Sequence, residues 1–147
     1  MNKQDHYRAL ENMYLAAPIN TFFRPSIAIM EGGTEIEIEV REAFFHTAGA
    51  VHGAAYFKVL DDAAFFAANS LVQEVFVLTK SFTVHFTRPV TQGIMRAVGR
   101  VVEERTRQIS AEAVVYDSSK REIGRGSGIF VPSRISLTSI PAYRIGD

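Results

Sequence analysis

Residues 46 to 69, HTAGAVHGAAYFKVLDDAAFFAAN, set the strongest limit on what this chain can become. A loop of small residues runs into a segment whose only charges between Ala50 and Ala68 are Lys58, Asp61 and Asp62, which predicts one long helix that is apolar almost all round. Such a helix has to be enclosed. An ionised carboxylate two turns inside it is expensive unless another group pairs with it or uses it, so Asp61 calls for a purpose.

The flanking sequence supplies the enclosure. Tyr7, Leu10, Met13 and Tyr14 recur at helical spacing and Pro18 follows them, which predicts a short amphipathic helix over about Gln4 to Ala16. Phe22 to Met30 is rich in β-formers, Glu31-Gly32-Gly33 signals a turn, and Thr34 to Val40 sets Ile36, Ile38 and Val40 against Glu35, Glu37 and Glu39. This is a hairpin with one wet face. Beyond the long helix, Lys80 to Thr87 alternates again, and Ile94 to Glu104, Gln108 to Tyr116 and Glu122 to Val131 read as three more strands joined by polar turns. Consecutive strands on short connections form an antiparallel meander. An α+β domain follows, its antiparallel sheet wrapped around the long helix. Alanines 54, 55, 63, 64, 67 and 68 would let strands come close to the helix axis. The chain reads as a single domain over residues 1–147, with a helical N-terminal segment at 1–17 and a loosely attached tail at 132–147.

Composition narrows the function classes. Sixteen Lys and Arg balance sixteen Asp and Glu, so no general positive field would hold a nucleic acid or an anionic membrane. The absence of cysteine excludes disulfides, thiolate metal sites and a thiol nucleophile. The opening residues lack the apolar run of a secretory signal and no stretch reaches the ~20 apolar residues of a membrane span, so the expected location is the cytoplasm. The spacing of histidines and carboxylates suggests no metal.

With these residues the sequence resembles the hotdog-fold acyl-CoA thioesterases, in particular their phenylacetate-pathway (PaaI-like) branch. That family's motif is Asn-x-x-x-x-x-His-Gly-Gly with an acidic residue nine positions after the His. Here His52-Gly53 opens the helix and Asp61 stands at the acidic position, with Gly49 and Asn69 also in place and Thr79 where relatives carry Ser or Thr near the carboxylate. The resemblance spans roughly Glu35 to Val131. It departs from the motif at Ala54, the second Gly of the pair, and at His46, where the family usually has Asn or Gln that polarises the thioester or holds water. It implies the hotdog fold, an acyl-CoA substrate with coenzyme A as part of it and no separate cofactor, and a homodimer that in some relatives pairs into a tetramer.

The same chemistry follows from the residues. Thioester hydrolysis needs an oxyanion site and an activated nucleophile, and the amide of Gly53 at a helix N-terminus suits the first. Asp61 suits the second, either as general base towards water or as a nucleophile giving an anhydride. Eight residues at ~1.5 Å rise separate the two by about 12 Å along one helix, too far to serve one carbonyl. Two copies with antiparallel helices would bring the Gly53 of one to the Asp61 of the other, which predicts shared sites in an isologous homodimer.

Other candidates are less specific. His46 is expected to face substrate, and His52 either to fix the loop or to touch substrate. Ala54 and Phe65 are expected beside the substrate, with Phe66, Phe76 and Leu78 available to line an acyl cavity that favours an aromatic or medium-length chain. Lys80, Arg88 and Arg125 could meet the phosphates of coenzyme A. Lys58 and Asp62 read as a helix-surface pair four residues apart. His85 reads as solvated, and His6 lies in the terminal helix. Two other readings stay open: hydration or dehydration by His46 and Asp61, although the His-Phe-Pro signature of hotdog dehydratases is absent, and non-catalytic acyl-CoA binding.

Overall fold

In the computed structural model, which describes residues 1–146, the long apolar segment is helix α3 (Gly53–Ser70), lying across a sheet of six strands. Helices α1 (Lys3–Leu15) and α2 (Asn20–Phe23) precede strands β1 (Ser26–Met30) and β2 (Gly33–Glu39); β3 (Val75–Phe86), β4 (Ile94–Glu104), β5 (Ile109–Tyr116) and β6 (Glu122–Ser136) follow α3. The spatial order is β1-β2-β4-β5-β6-β3 with every pairing antiparallel.

Period-two patterning decides which side of each strand meets the helix. Ile36 and Ile38 of β2, Met95 and Ala97 of β4, and Ile109, Ala111, Ala113 and Val115 of β5 are all buried, while Glu37 and Glu39 stay exposed. The helix alanines are matched by small residues in the strands. A Cβ on Gly99 of β4 would sit 2.2 Å from the Ala63 carbonyl oxygen, so this strand passes against the helix backbone itself.

Three boundaries differ from the sequence expectation. Phe22 and Phe23 are not strand: the Asn20 side chain donates to the Tyr14 carbonyl at 2.7 Å, closing α1, and α2 then turns both rings onto Phe44. Strand β3 begins at Val75 rather than Lys80, because buried Asn69 organises its start. The Asn69 amide donates to the carbonyls of Val72 and Val75, and its oxygen accepts from the Val77 N–H at 2.9 Å. Nor do the residues after Val131 hang loose. Strand β6 runs on to Ser136, Leu137 is fully buried, and Tyr143 meets His6 at 2.6 Å. Leu137, Ile140 and Tyr143 recur every three residues and so bring one apolar edge of this segment onto the core. Asp147, the end of the expected tail, lies outside the described residues. No helix among the described residues is long and apolar enough to cross a membrane.

Candidate active site

The start of α3 is built by backbone and histidine together. His52 is its N-cap: the ring Nδ1 accepts from the Ala54 N–H at 2.8 Å, and the His52 N–H donates to the Phe44 carbonyl. In the preceding loop the His46 Nδ1 accepts from the Ala48 N–H at 3.0 Å. A backbone N–H can only donate, so both rings, when neutral, carry their proton on Nε2. The loop turns at Gly49, whose φ of +89° lies in the left-handed region.

These groups edge an open cleft of about 390 Å³ lined by His46, Ala50, Gly53, Tyr56, Phe86 and Arg88, among others. The Gly53 N–H has no acceptor among the described residues. Phe86 lies against this glycine, and a Cβ there would come within 3.0 Å of the ring. The Tyr56 hydroxyl donates to the Arg88 carbonyl at 2.6 Å and fixes the far wall. Tyr56 and Phe86 are not among the residues that the sequence singles out; the one signal for Phe86 is its place on the apolar side of the alternating Lys80–Thr87 run.

Asp61 is not in this cleft. It sits two turns further on, half-buried, with Oδ1 accepting from the Thr79 hydroxyl at 3.0 Å. Thr79 reaches it because β3 changes register there: Thr79 pairs with Phe130 and Ser81 with Ile129, leaving Lys80 as a bulge. Burial pushes the Asp61 carboxyl up to about 6, opposed first by the Thr79 hydrogen bond; the charge of Asp62 raises it further and that of Lys58 lowers it. A carboxylate that titrates near neutrality and is still reachable from one side is suited to proton transfer.

The remaining candidates are distributed unevenly. Ala54 and Phe57 are exposed on the same flank of α3 as Asp61, an open stripe along the helix. Phe65, expected to line the substrate cavity, is a core aromatic instead: it is 9 % exposed and packs on Phe66, Phe76 and Phe130 at centroid distances of 4.9, 5.1 and 6.0 Å. Phe66 is likewise buried, whereas Leu78 is exposed. Arg88 lines the cleft and Lys80 is exposed in the bulge. Arg125 lies on the outer face of the sheet, since Gly124 beside it in β6 faces Tyr56 of the helix, and its guanidinium is paired with Glu122. The Lys58–Asp62 pair forms but is not a surface pair: the Lys58 side chain is 9 % exposed, and Asp62 also accepts from the Tyr14 hydroxyl at 2.7 Å.

A family model described as "Thioesterase superfamily" matches residues 48–123, from the loop before α3 through β3 and β5 to the start of β6. The chain belongs to the thioesterase superfamily. Its hotdog fold is shared by solved structures of low identity. The E. coli PaaI protein of the phenylacetic acid degradation operon superposes with a TM-score of 0.80 at 18 % identity, covering 89 % of this chain and 97 % of its own. A thioesterase family protein from Silicibacter pomeroyi gives 0.76 at 24 % identity, over 84 % and 96 % of the two chains. A mutant of the phenylacetic acid degradation protein PaaI from Thermus thermophilus gives 0.72 at 18 %, over 80 % and 100 %. No curated protein matches this thioesterase-superfamily sequence. The matched span contains Gly53, Asp61 and Thr79, while His46 lies just outside it.

Proposed function

We propose that this chain is an acyl-CoA thioesterase of the PaaI-like kind, working as a homodimer with two shared sites. The observation that carries the reading is Asp61: a carboxylate raised to about 6, held by one hydroxyl, on a helix flank that the rest of its own chain leaves open. A half-buried acid with a raised midpoint and an open side is suited to chemistry. It cannot reach the Gly53 amide of its own chain, which lies about 12 Å away along the helix. A second copy packed antiparallel along the Ala54–Phe57–Asp61 stripe closes that distance.

In this arrangement the Gly53 N–H of one protomer receives the thioester oxygen, whose negative charge grows as the tetrahedral intermediate forms. His46 takes the part that Asn or Gln plays in the resemblance. With Nδ1 committed to the Ala48 N–H, Nε2–H is the donor left on a ring that lines the same cleft, so this histidine can supply an N–H as an amide would. Asp61 of the other protomer draws a proton from the attacking water, or attacks the carbonyl itself. Arg88 at the cleft wall is placed to meet a phosphate of coenzyme A. Exposed Phe57, Leu78 and Phe86, rather than Phe65, would line the acyl end, and they favour an aromatic or medium-chain group.

The test is release of free thiol from a panel of acyl-CoAs by the wild type and by Asp61→Asn. Turnover that drops at least about 100-fold in the variant supports the assignment. Equal thiol release from both proteins excludes Asp61 as base or nucleophile.

A further inference from the structure

Lys58 has two carboxylates within reach on its own helix. Asp61 lies three residues on and Asp62 four, and both spacings bring side chains together on a helix surface. The ammonium goes to Asp62 alone. The reason lies in the N-terminal segment. The Tyr14 hydroxyl of α1 donates to the same Asp62 oxygen, the Tyr14 ring stands 4.9 Å from Lys58 Nζ, and the Phe23 ring of α2 stands 5.4 Å from it. A cation between two aromatic faces and a carboxylate is well held when partly desolvated. Phe23 is itself fixed by stacking on Phe44 at 5.2 Å.

We infer that Tyr14, Phe23 and Asp62 are positioning residues: they hold the Lys58 ammonium on the Asp62 side of α3, so that Asp61 keeps a hydroxyl and no cation as its partner. The charged groups acting on Asp61 within the chain are Lys58 and Asp62 of its own helix. Strand β3 contributes the Thr79 hydroxyl, and exposed Lys80 beside it makes no ion pair among the described residues. From α1, Tyr14 reaches this part of the helix, its proton engaged by Asp62 and its ionisation pushed far up by burial. Releasing Lys58 would give Asp61 an opposite charge at hydrogen-bonding distance and make it a weaker base. On this account the segment before β1 sets the strength of a base it does not touch. The inference rests on the reading of Asp61 as the reacting acid for its functional meaning, but not for its structural content.

The test separates the two. The Asp61 carboxyl carbon is followed by NMR titration in the intact protein, assigned by its loss in Asp61→Asn, for the wild type, Asp62→Asn, Lys58→Met and the double variant; pH profiles of kcat/KM for acyl-CoA hydrolysis are recorded on the same samples. In Asp62→Asn the freed ammonium turns to Asp61, and its midpoint falls by about one pH unit or more. In Lys58→Met the unpaired Asp62 charge moves the midpoint up instead. The double variant returns it close to the wild-type value. Tyr14→Phe, which keeps the ring, shifts it in the same direction as Asp62→Asn but by less. Additive shifts, in which the change in the double variant equals the sum of the changes in Asp62→Asn and Lys58→Met, would overturn the inference, because Lys58 would then act on Asp61 only from where it already stands. NMR midpoints that shift as expected while the acidic limb of kcat/KM stays fixed uphold the inference and remove Asp61 from the reaction.

Discussion

The Thr79 hydroxyl donates to Asp61 Oδ1 at 3.0 Å, and among the described residues it is the only donor that carboxylate has. The bond favours the ionised form and works against the burial that raises the acid. Thr79→Val removes it without changing the shape, so the Asp61 midpoint should climb by about one further pH unit, as loss of a hydrogen bond to a charged group implies. The acidic limb of kcat/KM moves up with it, and activity at pH 7 falls about twofold as the ionised fraction drops. Thr79→Ser keeps the hydroxyl and should leave the limb where it is.

Asp61 is expected to lower stability at neutral pH. Its carboxyl titrates near 6 in the fold against an ordinary value of 3.8, so the fold favours the protonated form. The sign follows from linkage: that preference stabilises fully below pH 3.8 and is lost as pH rises through 6. Partial exposure screens the effect to about 1 kcal/mol. Asp61→Asn should therefore melt higher than the wild type at pH 7, with the gap closing at pH 4, while hydrolysis is lost. Paired melting curves at the two pH values check this.

The fold was legible because its main elements carry strong patterns: a nearly uninterrupted apolar run over Gly53–Ser70, and a period of two in β2, β4 and β5. Local pattern misleads where distant partners override it. Phe22 and Phe23 have strand propensity, but Asn20 binding the Tyr14 carbonyl turns them into a helix. Asn69 is visible as a polar residue in an apolar helix, yet nothing local says that it ties down Val72, Val75 and Val77. In the site, the family resemblance put Thr79 near Asp61, and the two are hydrogen-bonded. The facing of Phe65 was undecidable from sequence, since an aromatic at that position of the helix meets either core or cavity according to what β3 and β6 bring opposite it.

Gly99 marks the closest approach of sheet to helix. A methyl group there would lie 2.2 Å from the Ala63 carbonyl oxygen and 2.4 Å from its carbon, both main-chain atoms in the middle of α3. The strand has to move outward to admit it, opening gaps along Ala97 and Val101. Gly99→Ala should cost about 2–4 kcal/mol, a large effect for one methyl group, seen as a lower denaturation midpoint.

His6 should make the protein sensitive to acid. It is fully buried, with Nε2 donating to the Asn69 carbonyl at 2.9 Å and Nδ1 accepting from the Tyr143 hydroxyl at 2.6 Å. Burial holds the ring below its ordinary value of 6.5. A depressed midpoint means stability that is complete above pH 6.5 and lost as pH falls through the folded value. Asp61 titrates in an overlapping window with the opposite sign, so the slope is isolated by difference. His6→Phe should flatten the acid limb of unfolding free energy against pH, at a cost of about 2–3 kcal/mol for two stranded polar groups at neutral pH. Denaturant titrations from pH 5 to 8 supply the curves.

Strand β3 pairs with β6 on one side only, over twelve residues, and the exposed side chains of Phe57, Leu78 and Phe86 lie along the same region. A long edge strand flanked by exposed apolar groups invites pairing with another chain unless charge or a bulge blocks it, and this one is regular from Ser81 to Phe86, beyond the register shifts at Val75–Val77 and at Lys80. If the second copy of the shared-site proposal sits here, Phe57→Lys places two like charges near the axis of the isologous contact. Sedimentation should then show a shift towards monomer, and thiol release should fall in parallel, because each site needs Gly53 from one chain and Asp61 from the other. Mixing inactive Asp61→Asn with an inactive Gly53→Pro variant, which removes the amide hydrogen, should restore up to about a quarter of wild-type activity. Subunit exchange at random makes half the dimers heterodimers, each with one intact site. A Phe57→Lys protein that is monomeric and fully active would contradict the shared site, since one chain would then have done what the separation of about 12 Å between its own two groups forbids.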